Sequence, residues 1–114
     1  LWNNVNGQLL QYDPYGFVTD KDIIRTLTAG QTIFIEMVCS HDTAGENKLA
    51  VLVNGNWDDL PSLDEIQNQY STFSKETTSY SFVLSESDIA SLNSSNNGIY
   101  LVGSNITITR IYVK

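Results

Sequence analysis

Between Thr32 and Ser40 the apolar residues fall on alternate positions. Ile33, Ile35, Met37 and Cys39 form one face with no polar member, and Phe34, Glu36 and Val38 form the other. A repeat of two is the repeat of a β-strand. The first face should point into a core, and the second suits a partly covered sheet surface. Ile106-Thr107-Ile108-Thr109-Arg110-Ile111-Tyr112-Val113 shows the same alternation and suits an antiparallel strand. Ser79 to Leu84 repeats it with Tyr80, Phe82 and Leu84 on one side. Three such segments bias the whole chain toward a sheet architecture.

The intervening stretches read as strands, turns and one short helix. Lys48-Leu49-Ala50-Val51-Leu52-Val53 is the next strand, and His41 to Asn47 is a polar turn around Gly45, so this pair reads as a hairpin. Asn54-Gly55-Asn56 breaks the strand and delivers Trp57, and a long irregular segment follows from Asp58 to about Thr78, with a helical turn expected over Leu63 to Tyr70. Ser85-Glu86-Ser87-Asp88 resembles a capping box, Asp88 standing in for the usual Glu. The helix it opens should turn Ile89 and Leu92 to one side and end at Asn96-Asn97-Gly98. Ile99 to Val102 is then a strand and Gly103-Ser104-Asn105 a turn. Gly7 to Tyr12 reads as an early strand, Asp13-Pro14-Tyr15-Gly16 as a turn, and Asp22 to Leu27 as a short strand or a helical turn. Strands with regular turn signals, no βαβ alternation and one late helix indicate an all-β antiparallel sandwich.

Composition narrows the function classes. The 114 residues fit one domain, spanning 1–114. Of these, 33 are Asn, Ser or Thr, residues of turns and strands more than of helix interiors. The net charge of −7 argues against nucleic acid and anionic membrane, whose phosphates need clustered Lys and Arg. A single cysteine excludes an intrachain disulfide and a cysteine zinc site. The polar composition without disulfides points to bacterial export into the extracellular space. Leu1-Trp2-Asn3-Asn4 has neither the basic start nor the apolar run of a signal peptide, and the missing initiator Met is read as the mark of a processed product or an excised module.

Catalytic chemistry finds few carriers. His41, the one histidine, adjoins Asp42 in a turn without a nucleophile-elbow motif. Cys39 lies on the apolar face of its strand and reads as inert. Asp58, Asp59, Asp64 and Glu65 cluster after Trp57 in a turn-like region rather than across a cleft, unlike the paired carboxylates of a glycosidase. The chain is therefore read as a non-enzyme. It has no cofactor motif; the acidic loops admit at most one structural Ca²⁺, away from any ligand, with no EF-hand spacing. Asn93-Ser94-Ser95 and Asn105-Ile106-Thr107 match the glycosylation pattern, which carries no weight in a bacterial protein.

The aromatic residues are more informative. Trp57 follows a turn and precedes two aspartates, whereas a core tryptophan usually lies within an apolar strand. An exposed indole is a flat, rigid plate. A pyranose can lay its C–H face on such a plate while its hydroxyls reach Asn, Asp, Gln or Tyr at the rim. Trp57 is accordingly the expected platform, with Asn54 and Asn56 as hydroxyl partners; loop packing is the alternative. Trp2, Tyr12, Tyr15 and Tyr70 complete the candidate ligand set, with core, turn or edge packing as the alternative for each. Tyr80, Phe82 and Tyr112 read as structural.

The order of elements resembles the small β-sandwich carbohydrate-binding modules attached to bacterial plant-cell-wall glycoside hydrolases, cellulosomal ones included. The carriers are Leu1-Trp2-Asn3, Ala29-Gly30-Gln31-Thr32-Ile33, Val53-Asn54-Gly55-Asn56-Trp57, Tyr80-Ser81-Phe82-Val83-Leu84, Ser87-Asp88-Ile89-Ala90-Ser91-Leu92 and the close from Asn97-Gly98 to Thr109. Val102 stands where relatives often carry a polar residue such as Gln, and Asp58 where some carry a second Trp. The resemblance implies a jelly-roll-like sandwich that binds β-glucan-type polysaccharide (cellulose, xyloglucan, mixed-linkage glucan or mannan) without catalysis, targeting a glycoside hydrolase module in the same parent chain. It maps the two tryptophans of such modules onto Trp57 and Trp2, and Tyr70 or Phe73 of the long segment can add to them. An adhesion or scaffold sandwich with a protein partner is the alternative from a different class.

Overall fold

A computed structural model describes residues 2–10, 17–18, 24–53, 58–63, 70–94 and 99–114, with residues 2–10, 17–18, 53 and 58–59 described by their backbone alone. The strands are β1 (Trp2–Leu10), β2 (Phe17–Val18), β3 (Thr32–Cys39), β4 (Lys48–Val53), β5 (Asp58–Asp59), β6 (Ser71–Thr72), β7 (Ser79–Val83), β8 (Ile99–Ser104) and β9 (Ile106–Val113), with helix α1 (Glu86–Ser94) between β7 and β8. They form two antiparallel sheets. The first has the order β1-β9-β3-β7, the second β2-β8-β4-β5, with β6 also on β4. The chain passes repeatedly from one sheet to the other, which makes an all-β, jelly-roll-like sandwich with a short helix.

The alternation in β3 has the expected phase; in β9 the register shifts opposite Glu36 and Met37, so the inward positions run Ile106, Ile108 and then Ile111 instead of keeping a strict repeat of two. Ile33, Ile35, Met37 and Cys39 are buried, as are Ile106, Ile108 and Ile111. They meet Leu49, Val51, Ile99 and Leu101 of the second sheet in one core, which also takes in Leu60, Leu63, Leu84 and Leu92. Removing such area from water contributes roughly 25 cal/mol per Å², which makes this interface the main source of stability.

The hairpin expected from β3 and β4 does not form: β3 belongs to the first sheet and β4 to the second. Residues 40–47 instead cross the edge of the sandwich, and a crossing brings backbone groups into a buried place where they need partners. Asn47, fully buried, supplies them. Its Nδ2 donates to the carbonyls of His41 and Phe73, each at 2.9 Å, and its Oδ1 accepts the His41 N–H at 2.9 Å. A 3₁₀ turn at Ala44–Glu46 precedes it.

β8 likewise runs through Ser104 rather than ending at Val102, and the expected three-residue turn shrinks to Asn105. Asn105 has φ +60°, the left-handed region that Asn enters more readily than most residues. In one residue it carries the chain from the second sheet to the first. Its carbonyl accepts the Ser40 N–H and hydroxyl, both at 3.0 Å, and its Nδ2 donates to the Glu46 carbonyl at 3.0 Å. The two crossings are thus stitched together at one end of the sandwich.

The segment expected to be irregular from Asp58 to Thr78 contains β5 and β6, which pair with opposite ends of β4: Asp58 with Val53, Thr72 with Lys48. Between them Pro61–Leu63 is helical; the rest of the helical turn expected up to Tyr70 falls on 64–69, outside the described residues. Ile24 to Leu27 adopts the helical-turn alternative, closed by Leu27 N–H to the Ile24 carbonyl. Gly30, at φ +95°, donates to the Leu84 carbonyl and opens β3.

The capping box forms as expected. The Ser85 Oγ accepts the Asp88 N–H at 3.1 Å, and the Asp88 carboxylate accepts the Ser85 N–H at 2.8 Å. Asp88 is also fully buried, because it accepts the Ser62 N–H at 2.9 Å and the Ser62 hydroxyl at 2.6 Å. One carboxylate therefore caps α1 and anchors the 58–63 segment to it.

Both buried polar groups give sharp expectations. In Asp88→Asn the shape is kept, but donors face both oxygens, so the new amide must oppose one of them. The loss should be about 1–3 kcal/mol in urea denaturation. In Asn47→Asp the carboxylate replaces a donor that serves two carbonyls, and the loss should reach about 3 kcal/mol. Wild-type midpoints for either variant would remove these contacts from the account.

Candidate functional site

The second sheet is apolar on both sides. β4 and β8 read as nearly continuous apolar runs, so alternate residues face opposite ways and both sets are buried. Leu49, Val51, Ile99 and Leu101 enter the main core, while Ala50, Leu52, Tyr100 and Val102 form a separate buried cluster. The register sets Leu52 opposite both Tyr100 and Asp59. Tyr70 is half-buried and packs on this second cluster, directly before β6. Of the sequence-derived candidates, Tyr70 and Phe73 have side chains that the structure describes; Phe73 packs instead against the main core and Tyr80. Two tyrosines, Tyr70 and Tyr100, therefore belong to the outer side of the second sheet.

Trp57, Asn54 and Asn56 lie in 54–57, outside the described residues, but their flanks are informative. Val53 pairs with both Ile99 and Asp58, so 54–57 joins two paired strands at one end of the second sheet. Tyr12 and Tyr15 also lie outside the described residues. Their flanks are Leu10, opposite Ile106, and Phe17, opposite Leu101. The ladder between Val53–Ile99 and Lys48–Ser104 spans about 17 Å at roughly 3.3 Å per residue. The 54–57 connection leaves from its Ile99 end, whereas 11–16 starts at the Asn105 end. Trp2 pairs with Ile111, in the part of the first sheet remote from Asn105, so its strand shares an end of the sandwich with the flanks of 54–57. The two strand-borne flanks group Trp2 with the Trp57 connection rather than with Tyr12 and Tyr15.

Asp88 matters here too. The strand that follows Trp57, β5, leads into Leu60 and Ser62, and Ser62 is fastened to Asp88. Leu60 itself is fully buried and donates its N–H to the Val51 carbonyl. The downstream flank of the 54–57 connection is therefore held both by the core and by the helix cap.

The outer face of the first sheet carries Phe34, Glu36 and Val38 of β3, which the alternation places there, together with Tyr112 of β9, which is expected to be structural. Phe34 and Tyr112 are register partners and stack with ring centres 4.9 Å apart and planes 7° apart. The Arg110 guanidinium lies 4.1 Å from the Tyr112 centre. Arg110 and Glu36 form an ion pair at 3.7 Å. Val38 and Val83 are exposed on the same sheet, at 57% and 58%. The signal for this face was present in the polar phase of β3 and β9, where an aromatic recurs on each strand.

The remaining reactive groups are spoken for. Burial pushes the Cys39 thiol up, which keeps it protonated and unreactive at neutral pH. His41 is exposed, with its Nδ1 accepting the Thr43 N–H at 3.0 Å. Asp42 is lowered by its hydrogen bond and charge pairing with Lys75, at 2.8 Å, and Lys75 is raised in return. This pair is exposed and adds little to stability. Among the described residues no three His, Cys, Asp or Glu side chains come together to hold a metal ion. Among the same residues no helix is long and apolar enough to cross a membrane.

No protein-family model matches the chain, and no curated protein matches it either. Among solved structures, the chain is similar over its whole length to the Bacteroides ovatus mixed-linkage glucan utilization locus protein SGBP-B, in complex with a mixed-linkage heptasaccharide. The TM-score is 0.77 at 20% identity, over 100% of this chain and 29% of that one. The chain thus spans less than a third of the length of the protein it matches. At this identity the likeness is one of fold, and this sandwich is one that also occurs within a protein solved with a bound glucan oligosaccharide.

Proposed function

We propose that the chain is a non-catalytic carbohydrate-binding module for β-glucan-type polysaccharide of the plant cell wall. The observation that carries the reading is the whole-chain similarity of fold to part of a protein solved with a mixed-linkage heptasaccharide. Trp57 is the proposed stacking platform, with Asn54 and Asn56 reaching sugar hydroxyls. Trp2, Tyr12, Tyr15 and Tyr70 are the further aromatic contacts. In support, the flanks of 54–57, Val53 and Asp58, lie at one end of the second sheet, whose outer side carries Tyr70 and Tyr100. The register that groups Trp2 with this end favours it over Tyr12 and Tyr15 as the second contact. The module works outside a bacterial cell and directs a glycoside hydrolase module of the same parent chain to its substrate; the matched protein, more than three times longer, is compatible with such a multimodular parent.

Truncating an aromatic anchor commonly costs about 2 kcal/mol, or roughly thirtyfold in affinity. Trp57→Ala should accordingly reduce binding of a mixed-linkage glucan oligosaccharide by that factor, with the melting temperature unchanged. A core role for Trp57 predicts the reverse, a loss of about 3–5 kcal/mol in stability. Calorimetric titration together with thermal unfolding separates the two, and a folded variant that binds normally ends the assignment.

A neutral ligand held by stacking and hydrogen bonds is barely sensitive to screening. Affinity for the neutral oligosaccharide at low and high NaCl should agree within about twofold. A steep loss with salt would overturn the neutral-glucan reading.

A further inference from the structure

The outer face of the first sheet has a chemistry of its own. Tyr112 has the Phe34 ring parallel to it at 4.9 Å and the Arg110 guanidinium 4.1 Å from its centre. A pyranose stacks on a free ring face, and here Tyr112 meets the Phe34 ring and the Arg110 guanidinium instead. What a stacked pair offers outward is ring edge, the electropositive rim of the aromatic quadrupole. Lys114 stands 5.6 Å from the Phe34 centre and 5.8 Å from that of Tyr112. Being nearly equidistant from two stacked rings, its ammonium lies beside the stack rather than over one face, where cation–π attraction is strongest. Its backbone is fixed by reciprocal hydrogen bonds with Thr32 at 3.0 and 2.9 Å.

Arg110 is held loosely by Glu36. At 3.7 Å, with the two side chains 48% and 40% exposed, this ion pair is a through-space attraction and not a hydrogen bond, so Glu36 does not consume the guanidinium donors. β3, β7 and β9 contain one acidic residue between them, Glu36, although the chain carries 13. Arg110 and Lys114, two of the six basic residues of the chain, therefore face a single carboxylate here. Around them stand hydroxyls: Ser79 and Ser81 are exposed, and Thr107 and Thr109 are half-buried, the Thr109 hydroxyl donating to the Glu36 carbonyl at 3.3 Å.

We propose that this face is a second carbohydrate-binding surface, specific for a carboxylated saccharide, in which Arg110 and Lys114 take the uronate carboxylate and the Ser and Thr hydroxyls meet those of the sugar rings. Two cations, electropositive ring edges and one loosely engaged carboxylate all favour an anionic group. A guanidinium fork matches a carboxylate better than any other common anion of its size. The row of hydroxyls suits a ligand with hydroxyls on every ring and favours a glycan over an acidic peptide. Repulsion from the net charge of −7 is screened beyond about 8 Å at physiological ionic strength, so the local charge of this face decides. The proposal does not rest on the neutral-glucan reading: Arg110 and Lys114 are not among that reading's residues, although Trp2 of that set pairs with Ile111 in the same sheet.

The test is calorimetric titration of the whole chain with tetragalacturonate, its full methyl ester and a tetraglutamate peptide, at physiological ionic strength. The free acid should bind, and the methyl ester, with the same backbone and no charge, should not. The double variant Arg110→Gln/Lys114→Gln should lose about tenfold or more in affinity for the acid. Glu36→Gln, which removes the competing carboxylate, should bind it more tightly than wild type, and it decides the matter if the double variant does not fold. Trp57→Ala should bind the acid as wild type does, which separates this surface from the proposed glucan site. Equal binding of acid and ester, a double variant with wild-type affinity, a Glu36→Gln variant with no gain, or a peptide that binds as well as the uronate would each overturn the proposal.

Discussion

Everything in this molecule depends on burying one side of each sheet against the other. β3 and β9 supply Ile33, Ile35, Met37, Cys39, Ile106, Ile108 and Ile111 from one side, and β4 and β8 supply Leu49, Val51, Ile99 and Leu101 from the other. The apolar faces must meet across the sandwich, and the chain must keep passing between the layers. Each passage takes backbone polar groups through or beside an apolar interior, where an unpaired group is costly. The positions of the buried polar side chains follow from that. Asn47 and Asn105 serve the crossings at one end, and Asp88 serves the helix and the 58–63 segment near the other.

This division of labour bears on binding. The end with Asn47 and Asn105 is closed by direct hydrogen bonds between its two crossings. The other end carries the flanks of 54–57, the start of α1 and the part of β1 that includes Trp2. The described flank that follows 54–57 is held at its base by Asp88 and Leu60. A fold that anchors the base of a connection in its core can vary the tip without loss of stability.

Legibility from the sequence followed the range of the interaction involved. The phase of β3 and β7 was legible because side-chain alternation is local; the bulge that shifts the phase of β9 after Ile108 was not. The Ser85–Asp88 capping box was legible because its partners are three residues apart. The bond from Asp88 to Ser62 was not, since 26 residues separate the partners and neither is unusual in its own neighbourhood. The supposed hairpin of β3 and β4 failed for the same reason. Two strands joined by a short polar connection look alike whether they pair or part to different sheets, and Asn47 reveals the difference only through its contact with Phe73. Tyr70 was singled out by residue type, but its packing on the cluster of Ala50, Leu52, Tyr100 and Val102 is a tertiary fact. Phe34 is legible as an outward-facing residue of β3, but its stack on Tyr112 is not, since only the register of β3 with β9 brings the two rings together.

The single-residue corner at Asn105 has a further consequence. Because β8 and β9 are joined without slack, the inward phase of one strand dictates that of the other: Leu101 and Gly103 precede the corner, and Ile106 and Ile108 follow it. An added residue at this point would turn Ile106 and Ile108 outward and carry Thr107 into the core, with no loop to absorb the slip. The two sheets therefore behave as one ruled surface folded along a crease.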